Sequence, residues 1–170
     1  MELKSMESLD HPQVRYRDRL LPSDEHSVLA IVKSSGFFSP QEVEVAVELV
    51  KEGRNKGLSS GYCFLFAEIS EEVAGYACYG PIPCTAESFD LYWIAVSASL
   101  RGLGLGKELL EKTEKKIQSM GGRRVYVDTS SREQYAPTHA FYRRCGYREA
   151  AVLEHFYAPQ DHKIIFLKVL

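Results

Sequence analysis

RGLGLGKELLEK, residues 101–112, sets three glycines on alternate positions directly ahead of an amphipathic run. Gly102, Gly104 and Gly106 allow φ > 0 and let a ligand approach the backbone without meeting a Cβ. The helix that begins behind them leaves its first N–H groups unpaired and turns its positive dipole end into the same space. An anion, most simply a phosphate, suits that position, with Arg101 in front and Lys107 behind it. A tight strand-to-helix turn that binds nothing is the bland alternative.

Two familiar phosphate loops fail on spacing. A Walker loop needs a glycine five residues before its Gly-Lys pair and a Ser or Thr after it; here Arg101 and Glu108 stand there. The dinucleotide fingerprint G-x-G-x-x-G lacks its third glycine, since Lys107 occupies that place, and Asp128 is only a weak match for its acidic partner.

The rest of the chain sets bounds. Its 170 residues are 45% apolar and 26% charged, the composition of a globular protein of one domain. A net charge of −2 argues against nucleic acid or an anionic membrane as the main partner. The N-terminus is polar, and no apolar run approaches the roughly 20 residues of a membrane span, so a cytoplasmic location is expected. Cys63, Cys78, Cys84 and Cys145 lie far apart, without a CxxC pair or a histidine at ligand spacing. They read as free thiols, and no metal is expected.

Outward from the loop, FDLYWIAV (89–96) reads as a nearly unbroken apolar strand buried on both faces. By alternation, Asp90, Tyr92, Ile94 and Val96 share one face of it. The helix after the loop turns Leu105, Leu109, Leu110, Thr113 and Ile117 inward, with Glu108/Lys112 and Glu111/Lys115 as exposed i,i+4 pairs. Upstream come a short strand (14–17), a helix between Pro22 and Gly36, and a second helix opened by the capping box Ser39-Pro40-Gln41-Glu42. A hairpin follows, of strands 62–69 and 73–80. Downstream lie a strand (123–130), a short helix closed by Gly146, and two strands near 147–157 and 163–169. The order is β-α-α-β-β-β-α-β-α-β-β, a mixed sheet with helices on its faces in residues 13–170, behind a tail of residues 1–12.

Arg101-Gly102-Leu103-Gly104-Leu105-Gly106 resembles the Q/R-x-x-G-x-G/A loop of the GNAT superfamily of acetyl-CoA-dependent N-acetyltransferases. Val96-Ser97-Ala98-Ser99-Leu100 is similar to that family's V-x-P-x-x lead-in, with Ala98 in place of proline. Phe141-Tyr142-Arg143-Arg144-Cys145-Gly146-Tyr147 resembles its F-Y-x-x-x-G-F/Y segment. The resemblance follows element order over residues 14–170 and is specific over 91–147. It implies an α+β (mixed α/β) single-domain fold, a central twisted sheet of about seven strands with about four helices on its faces.

The resemblance also implies roles. The backbone of Ile94, Ala95 and Val96 would hold the pantetheine arm of acetyl-CoA, and an N–H there would face the developing oxyanion. The amides of Arg101, Gly102, Leu103, Gly104, Leu105, Gly106 and Lys107 would hold the pyrophosphate, with Arg101 ordering the loop. Phe141 would lie beside the cofactor. Tyr142 takes the place of the tyrosine that protonates the departing thiolate, and a phenol of pKa about 10 suits a donor at neutral pH. Asp90, eleven residues before the loop, takes the place of the family's frequent carboxylate base, one methylene shorter than Glu; Glu87, Tyr92 and His139 are its rivals. Many family members carry Asn and Ala where this chain has Tyr135 and Thr138, so contacts from that segment to the pantetheine arm differ, with the Thr138 hydroxyl as a substitute.

The expected reaction is transfer of acetyl from acetyl-CoA to a primary amine by direct attack in a ternary complex. Phe37, Phe38, Glu87, Glu154, His155, Phe156 and Tyr157 stand in the segments that would meet the acceptor, and carboxylates among aromatics suit a cationic small-molecule amine or amino acid. A protein N-terminus or lysine, and a non-catalytic acyl-CoA-binding regulatory module, are the alternatives. The last strand, 163–169, could offer an edge to a second copy in a homodimer or serve as a core strand.

Overall fold

The computed structural model describes residues 13–170; the expected tail, residues 1–12, lies outside them. The elements are β1 Val14–Arg17, α1 Asp24–Ser34, α2 Pro40–Lys56, β2 Cys63–Ile69, β3 Glu72–Pro81, β4 Ser88–Val96, α3 Leu105–Ser119, β5 Arg124–Ser130, α4 Ala136–Arg144, β6 Arg148–Ala158 and β7 Asp161–Val169. The strands form one sheet in the order β1-β2-β3-β4-β5-β7-β6. All neighbours are antiparallel except β4 and β5. This is the expected element order and a mixed α+β architecture.

Local chemistry accounts for the elements. The capping box forms as the spacing requires: Ser39 Oγ accepts from Glu42 N (3.2 Å), and Glu42 Oε2 accepts from Ser39 N (2.7 Å). Val43, Ala46 and Val50 of α2 join Val28, Ile31 and Val32 of α1 in a buried cluster on one face of the sheet, against Phe66, Tyr76 and Cys78. The opposite face carries Leu105, Leu109, Leu110 and Ile117 of α3 against Leu65, Ala77, Phe89 and Val125. Each Val, Leu, Ile or Phe among them, fully removed from water, contributes roughly 1.5–3 kcal/mol. On the wet side of α3, Lys112 pairs with Glu108 as expected, whereas Glu111 pairs backward with Lys107. The β2–β3 turn is tighter than the letters imply, with Ser70 and Glu71 both at positive φ, the twist that a two-residue hairpin prefers.

Two expectations are corrected. β4 is not continuous: β3 pairs Cys78 with Trp93 and Tyr79 with Leu91, so Tyr92 is an extra, bulged residue. A bulge reverses the alternation. Phe89, Leu91, Ile94 and Val96 therefore pack toward α3 and α4, while Trp93 and Ala95 pack toward α1 and α2. Asp90 does not share a face with Ile94 and Val96. Nor is the strand buried on both faces throughout, since residues 93–96 are half-buried and Tyr92 is exposed. The final strand β7 is not an edge either. It lies between β5 and β6, and β6, exposed along its whole length, is the edge.

Candidate active site

β4 and β5 run side by side only from Ser88/Arg124 to Asp90/Tyr126. Beyond that rung the Tyr92 bulge bends β4 away, and the strands part around a cleft of about 1310 Å³. Single small-molecule sites occupy about 300–1,000 Å³, so this one has room for two ligands. Leu91 to Val96 form one wall, and Val127 to Ser130 form the other.

The parting leaves backbone groups without a strand partner. Ser97 N donates to Ala74 O at 2.8 Å. By the alternation of an antiparallel ladder, Ala95 and Trp93 then exchange bonds with β3, and Ile94 and Val96 turn their N–H and C=O toward the cleft. An extended ligand arm can pair there as an added strand. The Trp93 indole N–H is buried without an acceptor among the described residues, a second donor on the same wall.

Beside the open end of β4 sits the glycine loop. Gly102 and Gly104 adopt φ of +80° and +83°, and nothing lies within 4 Å of where their Cβ atoms would be. Gly106 differs from expectation: it lies in the first turn of α3 without positive φ, and its missing side chain faces Val96 and Phe141. Among the described residues, the first backbone N–H after Arg101 with a backbone acceptor is Glu108, bonded to Gly104 O at 3.1 Å. Every amide from Gly102 to Lys107 is thus free for an anion at the positive end of α3. Leu103 points outward and Leu105 into the core, so both can contribute only their amides. The Arg101 guanidinium lies 5.3 Å over the Phe37 ring and ties the loop to the α1–α2 connection.

The wall opposite β4 carries α4. Thr138, Phe141, Tyr142, Arg144 and Cys145 all line the cleft. Tyr142 is 3% exposed, with Phe141, Tyr147 and Phe166 packed against its ring. Burial pushes its phenol well above the usual range, so it holds its proton at neutral pH. Cys145 is half-buried; burial, then Glu114, raises its thiol and keeps it neutral, the wrong form for a nucleophile.

Of the rivals for the base, Glu87 pairs with Arg123 and Arg124 and does not line the cleft. His139 is 8% exposed, its Nε2 3.1 Å from Ser130 O and 3.0 Å from Thr129 Oγ1. Thr129 donates its own proton to Ile164 O, and a carbonyl only accepts, so Nε2 carries the hydrogen. Burial lowers the His139 pKa. The residue is a neutral tie between α4 and β5. Tyr92 reaches the cleft, edge-on to Tyr62, and its hydroxyl is pushed up to about 12 by burial, then Asp90. Asp90 sits at the last paired rung, in a recess behind the cleft wall.

The far end of the cleft was only partly legible. Phe37, Phe38 and Tyr157 line it as expected, whereas Glu154, His155 and Phe156 do not. Glu42, Asp128 and Asp161 join them; the sequence reading attached no acceptor role to these three. All three carboxylates act on the Tyr157 hydroxyl, which burial, then Asp128, Asp161, Tyr135 and Glu42, raise to about 12. Arg132 pairs with Asp161 at 3.3 Å and Lys163 with Asp128 at 2.5 Å. Phe37 spans the cleft between its ends: its ring lies 6.5 Å from that of Tyr135, and its carbonyl accepts from Gln134 Nε2 at 3.2 Å. The cleft is therefore basic where the glycine loop, Lys107 and Arg144 stand, while the other end is aromatic and carries three carboxylates, two of them paired with Arg132 and Lys163. Among the described residues no cluster of metal-ligating side chains is found, and no helix is long and apolar enough to cross a membrane.

Comparison with known proteins agrees with this geometry. A solved structure of a protein from Desulfovibrio desulfuricans, assigned to the GNAT family of acetyltransferases, is 44% identical, with a TM-score of 0.91 over 92% of this chain and 99% of that one. The fold is shared with the ribosomal-protein-S18-alanine N-acetyltransferase of Escherichia coli, at 18% identity and a TM-score of 0.71, over 92% and 94% of the two chains. It is shared too with an aminoglycoside 6'-N-acetyltransferase solved with coenzyme A, at 21% identity and a TM-score of 0.70, over 92% and 96%. No curated protein matches the chain by sequence. The sequence profile of the acetyltransferase (GNAT) family covers residues 28–147, from α1 through the glycine loop to Tyr147, and the chain belongs to that family.

Proposed function

We propose that the protein transfers acetyl from acetyl-CoA to the primary amine of a small molecule or amino acid, by direct attack in a ternary complex. The observation that carries the choice of acceptor is the far end of the cleft, where Glu42, Asp128 and Asp161 stand around the Tyr157 hydroxyl beside Phe37. Carboxylates and aromatic rings around one space suit a small cation.

The steps follow from the walls. Amides of residues 102–107 hold the pyrophosphate, and the pantetheine arm pairs along Ile94 and Val96. The amine nitrogen attacks the thioester carbon, and an N–H of Ile94 or Val96 meets the oxyanion. Collapse expels the thiolate beside Tyr142. Tyr142 passes its phenol proton to the sulfur as the C–S bond breaks and takes one in return from the cationic nitrogen of the adduct, since burial disfavours a lasting phenolate. Asp90 is the base, acting through water from its recess. The four free thiols suit the reducing cytoplasm.

Release of coenzyme A thiol over a panel of amines tests the reading. Turnover is expected with small di- and polyamines or amino acids and not with peptides bearing free N-termini or lysines. Turnover on peptides alone would overturn the small-acceptor reading, and tight acetyl-CoA binding with no turnover on any amine would leave a binding module.

A further inference from the structure

Resting on that proposed reaction, we propose that Arg132 is a carboxylate seat at the acceptor end of the cleft, and that the acceptor is an amino acid with its carboxylate free. An amine alone does not use what this end offers. Glu42, Asp128 and Asp161 line it, and Arg132 and Lys163 answer two of the three. The surplus is one negative charge, enough to balance a single ammonium. Of the basic side chains that line the cleft among the described residues, Arg101, Lys107 and Arg144 stand with the glycine loop, and Arg132 stands among these carboxylates.

The guanidinium is anchored through its Nε. That nitrogen donates to Ser130 Oγ at 3.1 Å and lies 3.3 Å from Asp161 Oδ2. The same hydroxyl accepts from the Arg132 backbone N–H at 3.1 Å and donates to Asp161 Oδ1 at 2.5 Å. Ser130 and the Asp161 carboxylate are only 7% and 13% exposed, so water competes little for these bonds. Ser131 N donates to His162 O at 2.9 Å, and His162 N donates to Ser131 Oγ at 2.8 Å. These two bonds lock the hairpin that carries Asp161 to the segment that carries Arg132. The guanidinium carbon also lies 5.5 Å over the Tyr135 ring.

A guanidinium carries five N–H donors in one plane. Nε spends one, and the four on Nη1 and Nη2 make no hydrogen bond among the described residues. An arginine seated in this way has given up much of its rotamer freedom before a ligand arrives. Its open fork matches the two oxygens of a carboxylate, and the side chain is 47% exposed, so a ligand can reach it. The phosphates of the donor are taken up at the other end of the cleft on the proposed reading. A polyamine would leave the fork empty and set a further positive charge beside it. An amino acid places its ammonium among the carboxylates and its carboxylate on the fork.

Acceptors that differ only in the carboxylate test this. A panel of amino acids is assayed for kcat/KM, each beside its methyl ester and beside the amine left when its carboxylate is replaced by hydrogen, as lysine beside cadaverine. The wild type should prefer the amino acid about 30-fold over both, the worth of one charge-assisted contact. In Arg132→Gln that preference should vanish or invert toward the amine, since three carboxylates then face one cation. Arg132→Lys keeps the charge without the fork and should hold only a few-fold preference, about 3-fold. The preference is a ratio within one enzyme, so a general loss of folded protein moves both acceptors alike, and the ester comparison needs no variant. A wild type that uses the esters or amines as well as the amino acids, or a preference that survives in Arg132→Gln, would overturn the carboxylate seat while leaving the acetyl transfer standing. A wild type inactive on every acceptor would overturn both.

Discussion

Tyr142→Phe is expected to lower kcat by about 10²–10³-fold, within the roughly 10²–10⁴-fold that one positioned proton donor contributes. KM for acetyl-CoA should change little. The groups near it are poor replacements: Cys145 is a shorter group, the His139 Nε2–H is committed to Ser130 O, Tyr92 stands on the opposite wall, and Tyr157 lies at the acceptor end of the cleft. The change removes one oxygen that makes no hydrogen bond among the described residues and keeps the ring that packs against Phe141, Tyr147 and Phe166. The melting temperature should therefore hold within a few degrees. The check is thiol release at saturating substrates beside a thermal melt. Full turnover with an unchanged melt would remove Tyr142 from the mechanism.

Gly104→Val acts on binding instead. Gly104 caps α3 at φ +83°, a backbone region in which a β-branched residue is a genuine outlier and strain of roughly 1–2 kcal/mol is expected. Its Cβ would enter open space, and Gly104 lines the cleft beside the free amides of residues 102–107. On the proposed reading, the side chain would stand where the pyrophosphate lies. Calorimetric titration with coenzyme A should show affinity reduced about 100-fold, the loss of two charge-assisted hydrogen bonds at about 1.5 kcal/mol each. Gly104→Ala separates the causes, since it carries most of the strain and little of the bulk. It should lose stability as the valine does and keep more of the affinity.

Much of this was legible in the letters because it is local. The capping box at Ser39, the inward stripe of α3, and the glycines at 102 and 104 are each decided within a turn or two of chain. The bulge at Tyr92 was not. FDLYWIAV reads as one unbroken run, and a single extra residue, forced by how β4 meets β3 at Cys78 and Tyr79, reverses every inference drawn from alternation beyond it. That reversal separates Asp90 from Ile94 and Val96 and puts it behind the wall. The acidic end of the cleft was hidden for a related reason: Glu42, Asp128 and Asp161 come from α2, β5 and the final hairpin, and only the parting of β4 from β5 brings them together. The place of β7 inside the sheet did leave a trace. Phe166 and Leu167 are buried, and the run KIIFLKV is apolar enough for a central strand, whereas β6 carries Arg148, Glu149, Glu154 and His155 toward solvent.

The central claim is that donor and acceptor meet in one cleft and that acetyl passes directly between them. Enzyme mixed with acetyl-CoA alone, quenched, and assayed for free thiol and for the mass of the chain tests it most directly. The account predicts no thiol and an unmodified chain until an amine is added, and then one coenzyme A for each amine acetylated. One equivalent of thiol released before any amine is present, with acetyl found on Cys145, would contradict it.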